Sequence, residues 1–299
     1  MPWARIEIVE HCGNEVLHVE GTELCATAVA HLARGKVDQM SKTGRVAVIT
    51  GAAQGIGKRT AELLAERGYA LLLNDLRSAA ETLNAARVPA AEVLEVLGDI
   101  SDEVVVDKIA AAVRERWGRT DVLVNNAGIS LIAPAEKLSA AEYRRVLEVN
   151  LVAPFLLAKA FGAMMLQQRS GSIVNVASVA GLVGVADRAA YNASKHGLIG
   201  LTRTLASEWG GRGVRVNAVC TAWVKTEMDV ADQAAGGYTD VDITKRVPMG
   251  RFASPDDIAR AIAFLADPQE SGFINGHALV VDGGWIADGS WEALRLRHR

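Results

Sequence analysis

From Arg45 onward, short apolar runs alternate regularly with longer stretches of helical periodicity, and this constrains the chain more than any other feature. Residues 45–50 (RVAVIT) are short and rich in β-branched side chains, which predicts a strand. Residues 55–68 read as a helix, with Ile56, Ala61, Leu64 and Ala65 in helical spacing. Residues 70–75 (ALLLND) form a continuous apolar run, as expected of a strand covered on both faces. Further strands are expected at 93–97, 122–125, 172–177, 214–219 and 278–281, with helices at 102–117, 139–168, 189–209 and 255–266. Ser254-Pro255-Asp256-Asp257 marks one helix start with a capping residue, a proline at the first position and acids in the first turn. About seven strands with crossover helices between them predict a single α/β domain built on a Rossmann-type, doubly wound parallel sheet.

Two segments break the alternation. Residues 1–42 precede the first strand and form an amino-terminal extension of unknown role, leaving 43–299 as the α/β domain. A chain beginning at Met40 is expected to fold, because the first sheet strand begins at Arg45. Residues 221–249 are poor in periodicity. An irregular insert of that length in a compact domain is usually a lid or binding loop, so this stretch is the expected substrate lid, with short helices near 227–233 and 241–247. Half of the 299 residues are hydrophobic, ample for a large core, and the net charge of −3 gives no reason to expect nucleic acid or an anionic membrane as partner. No apolar run approaches the roughly 20 residues of a membrane span. Cys12, Cys25 and Cys220 do not make a disulfide framework, so a reducing, cytoplasmic setting is expected.

The first strand runs into Thr50-Gly51-Ala52-Ala53-Gln54-Gly55-Ile56-Gly57, and a helix follows. Glycines let the backbone turn tightly and approach a pyrophosphate, and the helix start then offers free N–H groups to the phosphates. At the end of the second strand stands Asp75, where a carboxylate can bond a ribose 2′-hydroxyl and repel a 2′-phosphate. No Arg or Lys lies within the loop; Lys58 follows it, and Arg77 is the nearby cation. NAD is therefore the expected cofactor.

Tyr191 and Lys195 are four apart at the start of the 189–209 helix, which puts both on one helical face. An ammonium near a phenol favours the phenolate and makes Tyr a usable base. Such a pair is common on helices and says little alone. Here Ser178 follows the 172–177 strand, Asn125-Asn126-Ala127-Gly128 ends the 122–125 strand, and Asn150 lies in the 139–168 helix, where Asn is a mediocre helix former. Ligands of open α/β sheets bind outside the carboxyl ends of the strands, so the glycine loop, Asp75, Asn125 and Ser178 converge on one crevice.

With these residues in view, the chain from about Lys42 to Gly284 resembles the short-chain dehydrogenase/reductase family. The Thr50–Gly57 loop is similar to the family's Thr-Gly-x-x-x-Gly-x-Gly; Asn125–Gly128 resembles its Asn-Asn-Ala-Gly; and Asn150, Ser178, Tyr191 and Lys195 match its four catalytic positions. The resemblance implies a cofactor site made by Gly51, Gln54, Gly55, Ile56, Gly57, Asp75, Asp99, Ile100, Asn126, Ala127, Gly128, Tyr191, Lys195, Val224 and Thr226, with Asp99 beside the adenine. It implies that Tyr191 is the general acid/base, that Lys195 lowers its pKa and holds the nicotinamide ribose, that Ser178 bonds the substrate oxygen, and that Asn150 positions a water. It also implies a homotetramer built through the long helices.

The function expected on these grounds is reversible transfer of a hydride between NAD(H) and a secondary alcohol or ketone. A cofactor-binding regulator on the same scaffold is the alternative, and an epimerase or dehydratase is disfavoured by the glycine spacing and by the short stretch after Gly284. The lid and Val183, Val185 and Asp187 are expected to line the substrate site without fixing the substrate; Asp187 hints at a polyol. His11, Cys12, His18, Cys25 and His31 contain no tight ligand pair, and no metal site is expected. One departure stands out: Thr221-Ala222 occupies the place of the family's Pro-Gly, either as neutral drift or as a looser turn beside the nicotinamide.

Overall fold

The computed structural model describes residues 8–12, 15–18, 44–86, 92–236 and 238–290. The seven expected strands all form, as β3 (Val46–Thr50), β4 (Ala70–Asp75), β5 (Val93–Leu97), β6 (Val122–Asn125), β7 (Gly171–Ser178), β8 (Val214–Thr221) and β9 (Ala278–Val281). They are parallel, in the order β5-β4-β3-β6-β7-β8-β9. The direction of winding reverses between β3 and β6, and the crevice beyond the strand ends at that point is where such sheets take ligands. A hairpin of β1 (Ile8–Cys12) and β2 (Glu15–His18) adds to the sheet, β1 pairing antiparallel with β5 through Ile8–Val96 and Val9–Glu95. Part of the amino-terminal extension thus covers a sheet edge that would otherwise be open. Its remaining residues, including Cys25, His31 and the Met40–Thr43 stretch, lie outside the described residues.

Helices pack on both faces, which is why the strands read as unbroken apolar runs. Ala47, Ile49, Leu71 and Leu73 point to one face, against Leu64 of α1 (Gly55–Glu66) and against Ile258 and Ile262 of the Pro255–Ala266 helix. Val46, Val48 and Leu72 point to the other, against Ile109 and Val113 of the Glu103–Arg116 helix and Leu157 and Phe161 of the Ala153–Gln168 helix. Numbered in chain order, the remaining helices are α2 (Ala80–Ala85), α3 (Glu103–Arg116), α4 (Ala140–Leu147), α5 (Ala153–Gln168), α6 (Ala189–Trp209), α7 (Glu227–Gly236), α8 (Asp240–Arg246), α9 (Pro255–Ala266) and α10 (Pro268–Ser271). The short α2 and α10 escape sequence periodicity because neither completes two turns.

The helix expected over 139–168 is three segments. It starts on a capping box between Ser139 and Glu142, passes through a π-helical turn at Glu148–Val152, and resumes as α5 with Pro154 in its first turn. Proline has no N–H to give to the carbonyl four residues back, so the ladder is free to widen there. The continuous helical stretch Ala140–Gln168 is long and apolar enough to span a membrane by composition, contrary to the expectation from apolar runs. Leu157, Ala158, Phe161 and Met165 are instead buried in the core. The 221–249 segment contains α7 and α8, close to the expected short helices.

Candidate active site

The site begins at the junction of β3 and α1. Gly51 has φ +65°, a conformation that glycine adopts without strain. Gly57 is needed for a different reason: a methyl group there would sit 2.0 Å from the Gly51 carbonyl oxygen. The loop is locked from the side by Asn126, whose Nδ2 donates to the carbonyls of Thr50 (2.9 Å) and Gly51 (3.0 Å). Thr50 Oγ1 in turn accepts from the backbone N–H groups of Asn126 and Ala127, both at 3.1 Å. Two loops from adjacent parallel strands are thereby held as one rigid wall.

The start of α1 is unlike most other helix starts in the chain. Gln54 occupies the N-cap position without a side-chain cap, and the first turn holds no acid. A helix start leaves N–H groups unsatisfied and carries a partial positive charge. Here both face the cleft, so the residues present fit the pyrophosphate of a dinucleotide. The cleft runs on past Asp75, Leu76 and Arg77, then Asp99 and Ile100. Asp75 is anchored by the backbone N–H groups of Ala53 (3.0 Å) and Leu76 (2.7 Å), and Arg77 donates to Gln54 Oε1 at 2.6 Å. Burial opposes ionisation of Asp99, but bonds from Ser101 and Arg145 outweigh it and hold its carboxyl below the usual range. Arg145, from α4, also lines this wall and had no signal in the sequence.

At the other end of the cleft, β7 delivers Ser178 and the first two turns of α6 deliver Tyr191 and Lys195. Ser178 is 7% exposed; its Oγ accepts from Ala180 N (3.1 Å) and donates to the Thr221 carbonyl (3.3 Å). Lys195 Nζ lies 5.5 Å from the centre of the Tyr191 ring and donates to the Val176 carbonyl at 2.8 Å. Burial lowers Lys195 to about 8, against a smaller opposing influence of Cys220. Burial pushes the Tyr191 phenol up, while Ser178 and the Arg188 guanidinium pull it back and the Asp232 carboxylate pushes it further up. The charges that bear on Tyr191 thus include a pair, Arg188 and Asp232, for which no such role is legible in the sequence.

Asn150 sits behind the cleft rather than in it. It is 1% exposed, its Oδ1 accepts from Ile129 N at 2.9 Å, and its Nδ2 donates to Ile129 O (2.9 Å) and Ser194 Oγ (3.2 Å). It ties the π turn to the loop after β6 and to α6. Gly57 likewise supports the cleft without lining it, whereas Gly51, Gln54, Gly55, Ile56, Asp75, Asp99, Ile100, Asn126, Ala127, Gly128, Val224 and Thr226 all line it.

Opposite Tyr191, the turn after β8 carries Thr221 and Ala222. Thr221 is the last residue of β8, paired with Ser178 and Val281. Ala222 is not among the residues with positive φ, so a methyl group fits its backbone. The turn is pinned from outside: Ala253 N donates to Trp223 O and Lys225 N to Ala253 O, both at 3.0 Å, and Trp223 packs edge-on against Trp285. These contacts stand in for the stiffness that a proline would supply, and they favour the neutral reading of Thr221-Ala222. Of the residues expected to line the substrate end, Val185 does; Val183 and Asp187 do not, and the Asp187 side chain is exposed. Asp187 matters through its backbone. Its φ of 58° turns the chain so that the next side chain, Arg188, enters the cleft, and its carbonyl accepts from Ala133 N at 2.8 Å.

A family model described as Enoyl-(Acyl carrier protein) reductase matches residues 51–286. The D-threitol dehydrogenase of Mycolicibacterium smegmatis is 41% identical over 244 residues, 81% of this chain and 93% of the relative. The cis-4-hydroxycyclohexanecarboxylate dehydrogenase of Sinomonas cyclohexanicum is 42% identical over 247 residues, 81% of this chain and 97% of the relative. Among solved structures, a Beutenbergia cavernae protein described as an NAD(P)-dependent gluconate 5-dehydrogenase, with NADP bound at low occupancy, is 41% identical. It superposes with a TM-score of 0.76 over 82% of this chain and 98% of its own. Motifs, sheet order, cleft and relatives agree, and the chain belongs to the short-chain dehydrogenase/reductase family of oxidoreductases.

Proposed function

We propose that this protein interconverts a secondary alcohol and its ketone with NAD(H), using Tyr191 as the acid/base. The observation that carries the reading is the meeting of Tyr191, Ser178 and Lys195 at one end of a cleft whose middle is an uncapped helix start. When bound, the nicotinamide supplies the acceptor for the hydride that leaves the substrate carbon. The chain's own residues handle the proton. Tyr191 takes it from the alcohol oxygen as the C–H electron pair departs, and returns it in reduction. Ser178 donates to the same oxygen and steadies the charge that develops there. Lys195 would hold the nicotinamide ribose, and Asn150 keeps the Ile129 loop and α6 in register beneath both.

The NAD preference rests on Asp75. Its carboxylate is held on the cleft wall by three backbone bonds and would meet a 2′-phosphate with like charge. Arg77 lies nearby, but its guanidinium is engaged with Gln54. Assembly as a homotetramer through α5 and α6 accords with the exposed Phe155 on α5.

The test is steady-state oxidation of a panel of secondary alcohols. Tyr191→Phe should lower kcat by about 10²–10⁴-fold and leave NADH binding intact. Turnover within a few-fold of the parent would remove Tyr191 from the chemistry, and no turnover by the parent on any alcohol would favour the cofactor-binding regulator. Equal kcat/KM with NAD and NADP would overturn the cofactor assignment. Because burial raises the Tyr191 phenol, and oxidation requires it deprotonated, kcat/KM for oxidation should climb with pH through the alkaline range while that for reduction falls over the same range.

A further inference from the structure

At the substrate end of the cleft, three side chains from three separate segments form a closed polar cluster. Arg188 Nη1 donates to Ser130 Oγ (2.7 Å) and to Asp232 Oδ2 (2.8 Å), and Ser130 Oγ donates to the same carboxylate oxygen at 3.1 Å. The Arg188 and Asp232 side chains are only 12% and 15% exposed, and both line the cleft that holds Tyr191. Arg188 Cζ is 5.9 Å from the centre of the Tyr191 ring. Among the described residues, all of these bonds use one guanidinium nitrogen and one carboxylate oxygen. Among the described residues, Arg188 Nε and Nη2 and Asp232 Oδ1 carry no bond. The cluster therefore keeps spare donors and a spare acceptor a few ångströms from the proposed proton carrier.

An ion pair in such a place is costly unless something polar satisfies its remaining groups. A wholly apolar substrate would desolvate it and return nothing. Apart from Lys195, which lies at Tyr191 itself, a carboxylate would find no unmatched cation at this end among the described residues: Arg188 is matched by Asp232, and Lys225 by Asp240 and Asp229, the latter 5% exposed and accepting from Gln233 and, at 3.4 Å, from Tyr238 Oη. Asp229, Asp232 and Tyr238 line the same cleft, so a substrate carboxylate would add a third negative charge to this end. Hydroxyl groups suit it best, because each can accept from a guanidinium N–H and donate to a carboxylate oxygen at once.

We propose that Arg188 and Asp232 are the specificity-determining pair of this enzyme, binding a second hydroxyl beside the one being oxidised, so that the substrate class is a neutral polyol. This rests on the reading of Tyr191 as the acid/base. The carbon bearing the hydroxyl at Tyr191 and Ser178 is oxidised: its C–H electron pair leaves as hydride to NAD⁺, its O–H proton goes to Tyr191, and the neighbouring hydroxyl stays on the ion pair unchanged. Asp187 is the positioning residue, since its left-handed backbone aims Arg188 inward.

The experiment compares three classes of four-carbon substrate with NAD⁺: the tetritols threitol and erythritol, 2-butanol, and 3-hydroxybutyrate. The parent should favour a tetritol over the other two by at least about tenfold in kcat/KM, since a site built to bond a hydroxyl discriminates strongly against its absence. Asp232→Asn and Arg188→Lys should each reduce kcat/KM on the tetritol at least about tenfold, chiefly through KM, and change it on 2-butanol by a clearly smaller factor, since there only the field at Tyr191 differs. Equal losses on tetritol and 2-butanol would mean that the pair acts only through Tyr191, and preference for 3-hydroxybutyrate would mean a carboxylate site; either overturns the proposal. Calorimetric binding of the tetritol to NAD⁺-loaded Tyr191→Phe protein separates the two readings, because it needs no turnover. Binding lost on adding Asp232→Asn supports the polyol site even if no alcohol is oxidised. Binding that is absent, or indifferent to Asp232, refutes it.

Discussion

Helices α1 and α9 lie side by side on one face of the sheet, joined by the Arg59–Asp256 ion pair, yet they begin in opposite ways. Helix α9 has a complete capping box between Ser254 and Asp257, a proline in its first turn and two acids there. Helix α1 starts on Gln54 with no cap bond and no acid. In one, the chain satisfies its own N–H groups and helix dipole, which stabilises the fold. In the other, it leaves them open toward the cleft, which destabilises the empty protein but suits an anion. The same local physics serves stability at α9 and binding at α1, whose bare start faces the cleft at the switch point of the sheet.

Three substitutions bear on that contrast, from the largest expected effect to the smallest. Gln54→Asp gives α1 the acid it lacks. NADH affinity should fall about tenfold or more as the carboxylate meets the pyrophosphate, while thermal stability rises. Isothermal titration and a melting curve read both quantities, and unchanged affinity would mean that the start of α1 does not hold the phosphates. Ser254→Ala removes the cap of α9. It should cost about 1 kcal/mol, roughly 2–4 °C in Tm, with the NADH dissociation constant unmoved. A loss of affinity there would show that the two helix starts are not separate in function. Ala222→Gly, on the opposite wall, should change neither NADH affinity nor kcat/KM by more than about twofold, because Ala253 and Trp285 already fix that turn. A clear gain in either would restore the reading of a turn loosened by the loss of Pro-Gly.

Much of this was legible in the sequence because it depends on neighbours along the chain. The seven parallel strands, the glycine loop, the capped start at Ser254 and the helical spacing of Tyr191 and Lys195 are all short-range patterns. The hairpin of β1 and β2 was not, since two short segments without strong periodicity become strands only by pairing with each other and with β5. Nor was the π turn, although Pro154 is its visible cause. At the site, Asn150 and Gly57 have the right identity and lie outside the cleft, because what each touches depends on how the β6 loop and the β3 loop are set against their helices.

The sequence by itself determined the sheet, the glycine loop and the family, because strand and helix periods and glycine spacing are local properties of the chain. Tertiary structure alone decided the substrate end. Ser130, Arg188 and Asp232 are separated by 58 and 44 residues from one another, and no periodicity connects them. Their meeting requires the loop after β6, the left-handed turn at Asp187 and helix α7 to pack together. Charge pairing across such distances is set by the packing of whole elements, so a one-dimensional reading sees three ordinary polar residues where the fold makes one cluster.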